Sequence, residues 1–237
     1  MTTSTSTPGT GLPPLGSLDA GTLPARIHDI LEDAIIQGHF APGERLHTDR
    51  LAAQYGVSRI PVREAMRSLH EAGWVDIRPR YGAYVRERSA EELAQLFEAR
   101  AVIEQAIAEW AAQRRTQADV DALARVVERS RRLLERGDLE ALEESGGHFY
   151  AAMREAARNA VLAGLSTELQ KRARFYFHMV AGDLGSDWVS LHEQIADLVA
   201  RGDATGAGRL ARRHVLDTGE AVSGLLGEQD ARLASRV

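Results

Sequence analysis

The chain has 237 residues, of which 44% are hydrophobic and 27% charged, proportions ordinary for a soluble globular protein of one or two domains. It contains no cysteine, which excludes disulfides, thiolate metal sites and cysteine nucleophiles, and no run of about 18 apolar residues, which excludes a membrane-spanning helix. The net charge of −5 averages over unlike parts: between Ser58 and Arg88 seven arginines face four acids, Glu64, Glu71, Asp76 and Glu87.

Residues 1–22 are dominated by Thr, Ser, Gly and Pro. Without a basic start or a hydrophobic block they do not form a secretory signal, and we expect a disordered tail on a cytoplasmic protein. An amphipathic helix follows, with Ile27, Ile30, Leu31, Ala34 and Ile35 on one face. After the connection Ala41-Pro-Gly-Glu-Arg-Leu46, the segment Thr48–Tyr55 reads as a short helix stopped by Gly56, a residue that tolerates a left-handed turn. Ser58 is placed to cap a further helix over Arg59–Ala72, and Pro61 is tolerated in its first turn, where backbone N–H groups lack intrahelical partners.

On that helix Arg59, Arg63 and Arg67 span about 80° of one face, whereas Val62, Ala65, Met66 and Leu69 centre roughly 110° away. One face can therefore pack on a core while the other meets phosphates and base edges. Beyond Gly73 the period changes, and Trp74–Ile77 and Ala83–Arg86 read as two short strands joined by a glycine turn, a wing.

From about Leu23 to Arg88 the chain resembles the winged helix-turn-helix of the GntR family of bacterial transcription regulators. The resemblance rests on the amphipathic first helix, the Ala41–Leu46 connection and Val57-Ser-Arg-Ile-Pro-Val-Arg-Glu-Ala65, in order and at matching spacing. It implies DNA contacts from Thr48, Ser58, Arg59, Arg63, Arg67, Tyr81 and Gly82. We assign Arg59 and Arg63 to bases, Ser58 and Arg67 to phosphates, and Tyr81-Gly82 to the wing tip. Asp49 is not expected to contact a phosphate.

From Ala90 onward the pattern is helical, with helices expected at about 90–113, 117–136, 139–157, 159–180, 187–201 and 204–228. The Arg136-Gly-Asp138 and Arg201-Gly-Asp203 breaks each join a glycine stop to an aspartate suited to cap the next helix. In the first of these helices Arg100 and Glu104 interrupt an apolar stripe of Leu93, Leu96, Phe97, Ile103, Ile107 and Ala111. A buried arginine needs a partner. Either it pairs with Glu104 at i, i+4, or its guanidinium fork points into a cavity, ready for a carboxylate. His192 and His214 also lie on or beside apolar stripes, and together they could meet inside a bundle.

This half resembles the FCD effector domain of the fatty-acid-regulator branch of the GntR family. The match runs through Leu96-Phe-Glu-Ala-Arg100, Ile103–Ala112, Phe149 with Asn159, and His192…Gly202-Asp203…His214. Many members bind a divalent metal through an aspartate, a histidine four residues later and two further histidines. Here Gly146 and Tyr150 stand at the first two positions and His192 and His214 at the last two. His148 lies about 160° from Tyr150 on the wheel and is no substitute. Two imidazoles make an incomplete set for zinc or manganese, so no metal or other cofactor is expected.

The expected fold is mainly α, with an N-terminal winged helix-turn-helix over residues 23–88 and a C-terminal all-α helical bundle over 90–230. The expected function is that of a ligand-responsive repressor, a homodimer on double-stranded operator DNA, with a small-molecule effector, a carboxylate being one candidate, held by Arg100, Tyr150, His192 and His214. No paired acid and base groups suggest an enzyme. A ligand-independent architectural DNA binder is the alternative.

Overall fold

The computed structural model describes residues 21–87, 89–177, 180 and 186–234. The expected tail lies outside this range except for Gly21 and Thr22, as do positions 178 and 179 of the helix expected at 159–180. The chain divides into two compact units, residues 1–88 and 89–237, each taken by itself below.

In the first unit, helix α1 (Leu23–Ile36) carries a proline in its first turn and buries Ile27, Leu31, Ala34 and Ile35. Its buried Glu32 accepts a hydrogen bond of 2.7 Å from the Trp74 indole N–H, which ties the root of the wing to the first helix. Helix α2 (Thr48–Tyr55) ends at Gly56, whose φ of 65° and ψ of 31° give the left-handed turn expected there. Helix α3 (Arg59–Glu71) follows and packs Val62, Ala65, Met66 and Leu69 into the core.

The wing consists of β2 (Val75–Arg78) and β3 (Gly82–Val85), antiparallel with Val75 opposite Val85 and Arg78 opposite Gly82. A third strand, β1 (Arg45–Leu46), pairs with β3, so the sheet order is β1-β3-β2. The sequence reading treated Arg45 and Leu46 as connection, because two residues are too few to show an alternating pattern. Leu46, buried beneath the sheet, is the residue that fixes them there. At the wing tip Gly82 has φ of +107°, and a Cβ there would stand 3.2 Å from Arg45 Nε. Glycine meets both constraints.

The described residues of the second unit form a helical bundle of α4 (Ala90–Arg114), α5 (Gln117–Arg136), α6 (Leu139–Ala157), α7 (Ala160–Phe177), α8 (Trp188–Arg201) and α9 (Ala204–Ala234). Both Arg-Gly-Asp breaks act as expected. Gly137 and Gly202 adopt left-handed φ of 68° and 77°, Asp138 accepts from the Ala141 N–H, and Asp203 accepts from the Gly206 N–H. Asn159 caps α7 by accepting from Val161 and Leu162, at 3.1 Å each.

Helix α4 is central and packs on α6, α7, α8 and α9. The core there joins Ile107, Ala108, Ala111, Phe149, Met153, Ile195, Val199 and Ala207. The approach of α9 to α4 depends on small residues: a Cβ on Gly219 would lie 2.6 Å from the Phe97 ring, closer than packed carbons come.

Candidate DNA-reading and effector sites

Each face of α3 does what its residues dictate. The apolar face is buried, and Arg59, Arg63 and Arg67 are all exposed on the other side. Ser58 stands at the N-cap with extended φ and ψ of −70° and 167°, yet its side chain makes no capping hydrogen bond, a correction to the expected cap. Its hydroxyl is left to other partners. Thr48 is half-buried as the first residue of α2, and Tyr81, 69% exposed at the wing tip, stands clear of the core.

Two features of this surface were missed from sequence. Ile60 is 67% exposed in the first turn of α3, and its position off the core stripe could have revealed it. Asp49, in the first turn of α2, forms an ion pair of 2.8 Å from its Oδ1 to Nε of Arg59. On the wing, Arg78 stacks over the Tyr84 ring at 4.4 Å and pairs with Glu87, so its charge is already engaged.

The polar residues of the bundle converge. Arg100, Glu104, His192 and His214 are each at most 6% exposed. The His192 ring stacks on Phe149 at 3.9 Å, meets His214 edge-on at 5.1 Å, and is flanked by Tyr150 at 5.4 Å and Trp188 at 5.0 Å. Arg100 lies beside this group, its guanidinium carbon 5.6 Å from the Tyr150 ring. All four residues predicted for the effector site are thus brought together.

Arg100 and Glu104 do not satisfy each other. Glu104 accepts instead from Ser166 Oγ at 2.7 Å, and Ser166 in turn receives Arg154 Nη1, which also donates to Gln170 Oε1 at 2.8 Å. The Nε of Arg100 and both ring nitrogens of His192 are buried without hydrogen-bond partners. Sequence reasoning named neither Arg154 nor Ser166. They become visible only once α6 and α7 are packed on α4.

Burial sets the protonation of the group. It raises the Glu104 carboxyl above the usual range, against the lowering effect of Arg100, Ser166 and Arg154. It pushes the Tyr150 phenol up to about 12. His192 falls well below the usual imidazole value through burial and the neighbouring His214. His214 falls to about 4, through burial first and then Arg100. At neutral pH both imidazoles are therefore uncharged. An arginine does not lose its proton inside a protein, so Arg100 and Arg154 stay charged beside Glu104, with Glu155 acting on Arg154 and Asp217 on His214.

The metal implied by the FCD resemblance does not fit these residues. Gly146 offers no donor atom, and a Cβ there would rest against the Trp188 ring at 3.5 Å. Tyr150 is a protonated phenol. Among the described residues no group of three or more His, Cys, Asp or Glu side chains is placed to hold a metal.

A winged helix with an arginine-lined recognition helix, followed by a helical bundle with a buried polar cluster, defines a DNA-binding transcription regulator rather than an enzyme. Residues 23–85 match the bacterial regulatory proteins of the gntR family, and residues 95–217 match the FCD domain. The chain belongs to the GntR family, in its FadR-type branch with a C-terminal FCD domain.

Its similarity to the Uxu operon regulator of Haemophilus influenzae is 28% identity, covering 80% of this chain and 78% of that one. To the regulator LutR of Bacillus subtilis it is 27%, covering 82% and 98%. A GntR transcriptional regulator from Rhodococcus sp. RHA1 superposes with a TM-score of 0.71 at 27% identity, over 85% of this chain and 97% of that structure. No helix among the described residues is long and apolar enough to cross a membrane.

Proposed function

We propose that this regulator is a repressor that binds a two-fold operator as a homodimer and releases it when a small organic acid enters the bundle at Arg100. The observation that carries the reading is the buried guanidinium whose Nε has no acceptor. A buried donor left without an acceptor is costly. A ligand carboxylate would supply the acceptor that Nε lacks and add a second counter-charge beside Glu104. Tyr150 and the neutral His192 and His214 would then hydrogen-bond the rest of the ligand, without a metal.

Dimerisation is supported by exposed apolar side chains on two adjoining helices, Val102 on α4 and Val161 and Leu165 on α7, at 57%, 74% and 50% exposure. A single recognition helix reads few base pairs, and a two-fold pair multiplies specificity. Arg59 and Arg63 are assigned to bases, Ser58 and Arg67 to phosphates and Tyr81-Gly82 to the wing contact, with Thr48 at the start of α2 beside them.

The test is a screen of small carboxylates for release of a promoter fragment, repeated with Arg100→Ala. The mutant should bind DNA as the wild type does and fail to respond. A normal response to the same acid would remove Arg100 from the effector site. One tightly held zinc, nickel or manganese per purified subunit would overturn the metal-free reading.

A further inference from the structure

The Asp49–Arg59 ion pair is hard to explain as a stabilising contact. Its side chains are 67% and 71% exposed, and exposed pairs of this kind contribute little. It also places a carboxylate on the surface that meets a polyanion, where every negative charge weakens phosphate binding. A residue that works against general affinity at such a place has its use in discrimination. Its contact is with the first arginine of the recognition helix.

The geometry of the contact indicates how. The Asp49 carboxylate stands 2.8 Å from Arg59 Nε as an ion pair that closes no hydrogen bond along the Nε–H direction. The fork has five N–H donors in a fixed plane, and the terminal Nη1 and Nη2 are not the nitrogens paired with the acid. Two parallel donors are what the O6 and N7 atoms of guanine accept in the major groove. Attraction to Asp49 biases where the Arg59 guanidinium sits before it meets DNA, and the nearby negative charge disfavours a phosphate in that corner. Among the described residues no acid forms such an ion pair with Arg63 or Arg67, further along α3.

We propose that Asp49 is a positioning residue for sequence readout: its charge keeps the Arg59 guanidinium beside it, so that Arg59 reads a guanine instead of straying to the backbone. The proposal rests on the assignment of Arg59 to a base. It does not depend on the effector or on the bundle. A carboxylate that merely favours the positive end of α2 would affect stability and leave base preference alone.

The experiment is selection of bound sequences from a random duplex pool with the full-length wild type, Arg59→Ala and Asp49→Ala, alongside affinity for unselected duplex and thermal melting. The wild type should return a half-site containing a guanine whose preference Arg59→Ala abolishes. Asp49→Ala should reduce preference for that same guanine by about two- to fivefold, the range an exposed ion pair contributes. It should leave melting unchanged and leave affinity for unselected duplex equal or higher.

Full retention of the guanine preference in Asp49→Ala overturns the proposal, as does a loss confined to a different base pair, which would mean that Asp49 reads a base itself. A uniform loss of affinity with the motif intact also overturns it. If Arg59→Ala keeps the wild-type motif, the assignment of Arg59 is what fails, and the positioning role falls with it.

Discussion

Arg63 and Arg100 are the same side chain put to opposite uses. Arg63 stands in water on α3, where its charge needs no partner and stays available for DNA. Arg100 is 3% exposed on α4, with an Nε that nothing satisfies. The first unit keeps its arginines at a surface. The second takes charge out of water, and the helices around it must be fixed to tolerate that. The same residue type should therefore be cheap to remove in the head and expensive to disturb in the bundle.

The bundle network should give the largest effect. Glu104 is the buried carboxylate beside Arg100 and Ser166, so Glu104→Ala takes the nearest counter-charge from the buried Arg100. A loss of about 3–5 kcal/mol in unfolding free energy is expected, the usual result of removing one member of a buried charge cluster. Denaturation of the full chain monitored by circular dichroism measures it. A loss below about 1 kcal/mol would mean that the network is hydrated and the contrast with the head is weaker than the burial implies.

The next effect is a pH dependence. An unfolded imidazole titrates near 6.5, whereas His214 is held down to about 4 and His192 is lowered too. Depressed folded values mean that the unfolded chain binds protons first as pH falls. Their contribution is fully present above about pH 6.5 and is lost as pH drops toward 4, at up to about 1.4 kcal/mol per pH unit for each group. The raised Glu104 works in the other sense, adding stability as it takes up its proton. Comparing His214→Gln with the wild type across pH 4 to 7 isolates the imidazole. The mutant should show the shallower slope, and equal slopes would place His214 in contact with solvent.

The two units also differ in how far they could be read from sequence. The head was legible in detail because its signals are local: the Gly56 stop, the arginine and apolar faces of α3, and the strands either side of the wing glycine all lie within a few residues of what they determine. Strand β1 was missed, since its two residues are defined by pairing with β3 and not by their own pattern. In the bundle, helix positions and both glycine-aspartate breaks were legible for the same local reason. The site was only half so. Arg100, Tyr150, His192 and His214 could be named, but the partners that decide their chemistry come from other helices. Ser166 draws Glu104 away, and Trp188 occupies the space beside Gly146. The missing cap bond of Ser58 was equally invisible, since composition favours a cap that the side chain does not make.

Arg63→Ala should fall between the extremes. The side chain is exposed, so melting should be unchanged, while a lost bidentate contact costs about 1–3 kcal/mol of specific binding. Competition between a selected operator and random duplex measures the difference. If binding to both falls equally, Arg63 meets phosphate and only Arg59 reads bases from this face.

The smallest effect tests the finest distinction within the head. A serine N-cap replaced by alanine typically costs about 1 kcal/mol, but that figure assumes a hydroxyl bonded to the backbone, and Ser58 makes no such bond. Ser58→Ala should therefore cost less than about 0.5 kcal/mol in stability, the range of ordinary surface changes. If the hydroxyl meets a phosphate, affinity should fall modestly and by the same factor for every sequence, because phosphate contacts position the protein without reading bases. The selected motif should be unchanged. A full cap-sized loss of stability would show that the hydroxyl does close on the first turn of α3 in solution. A change of motif would move Ser58 from the backbone to a base edge, and the division of labour along α3 would have to be redrawn from its first turn.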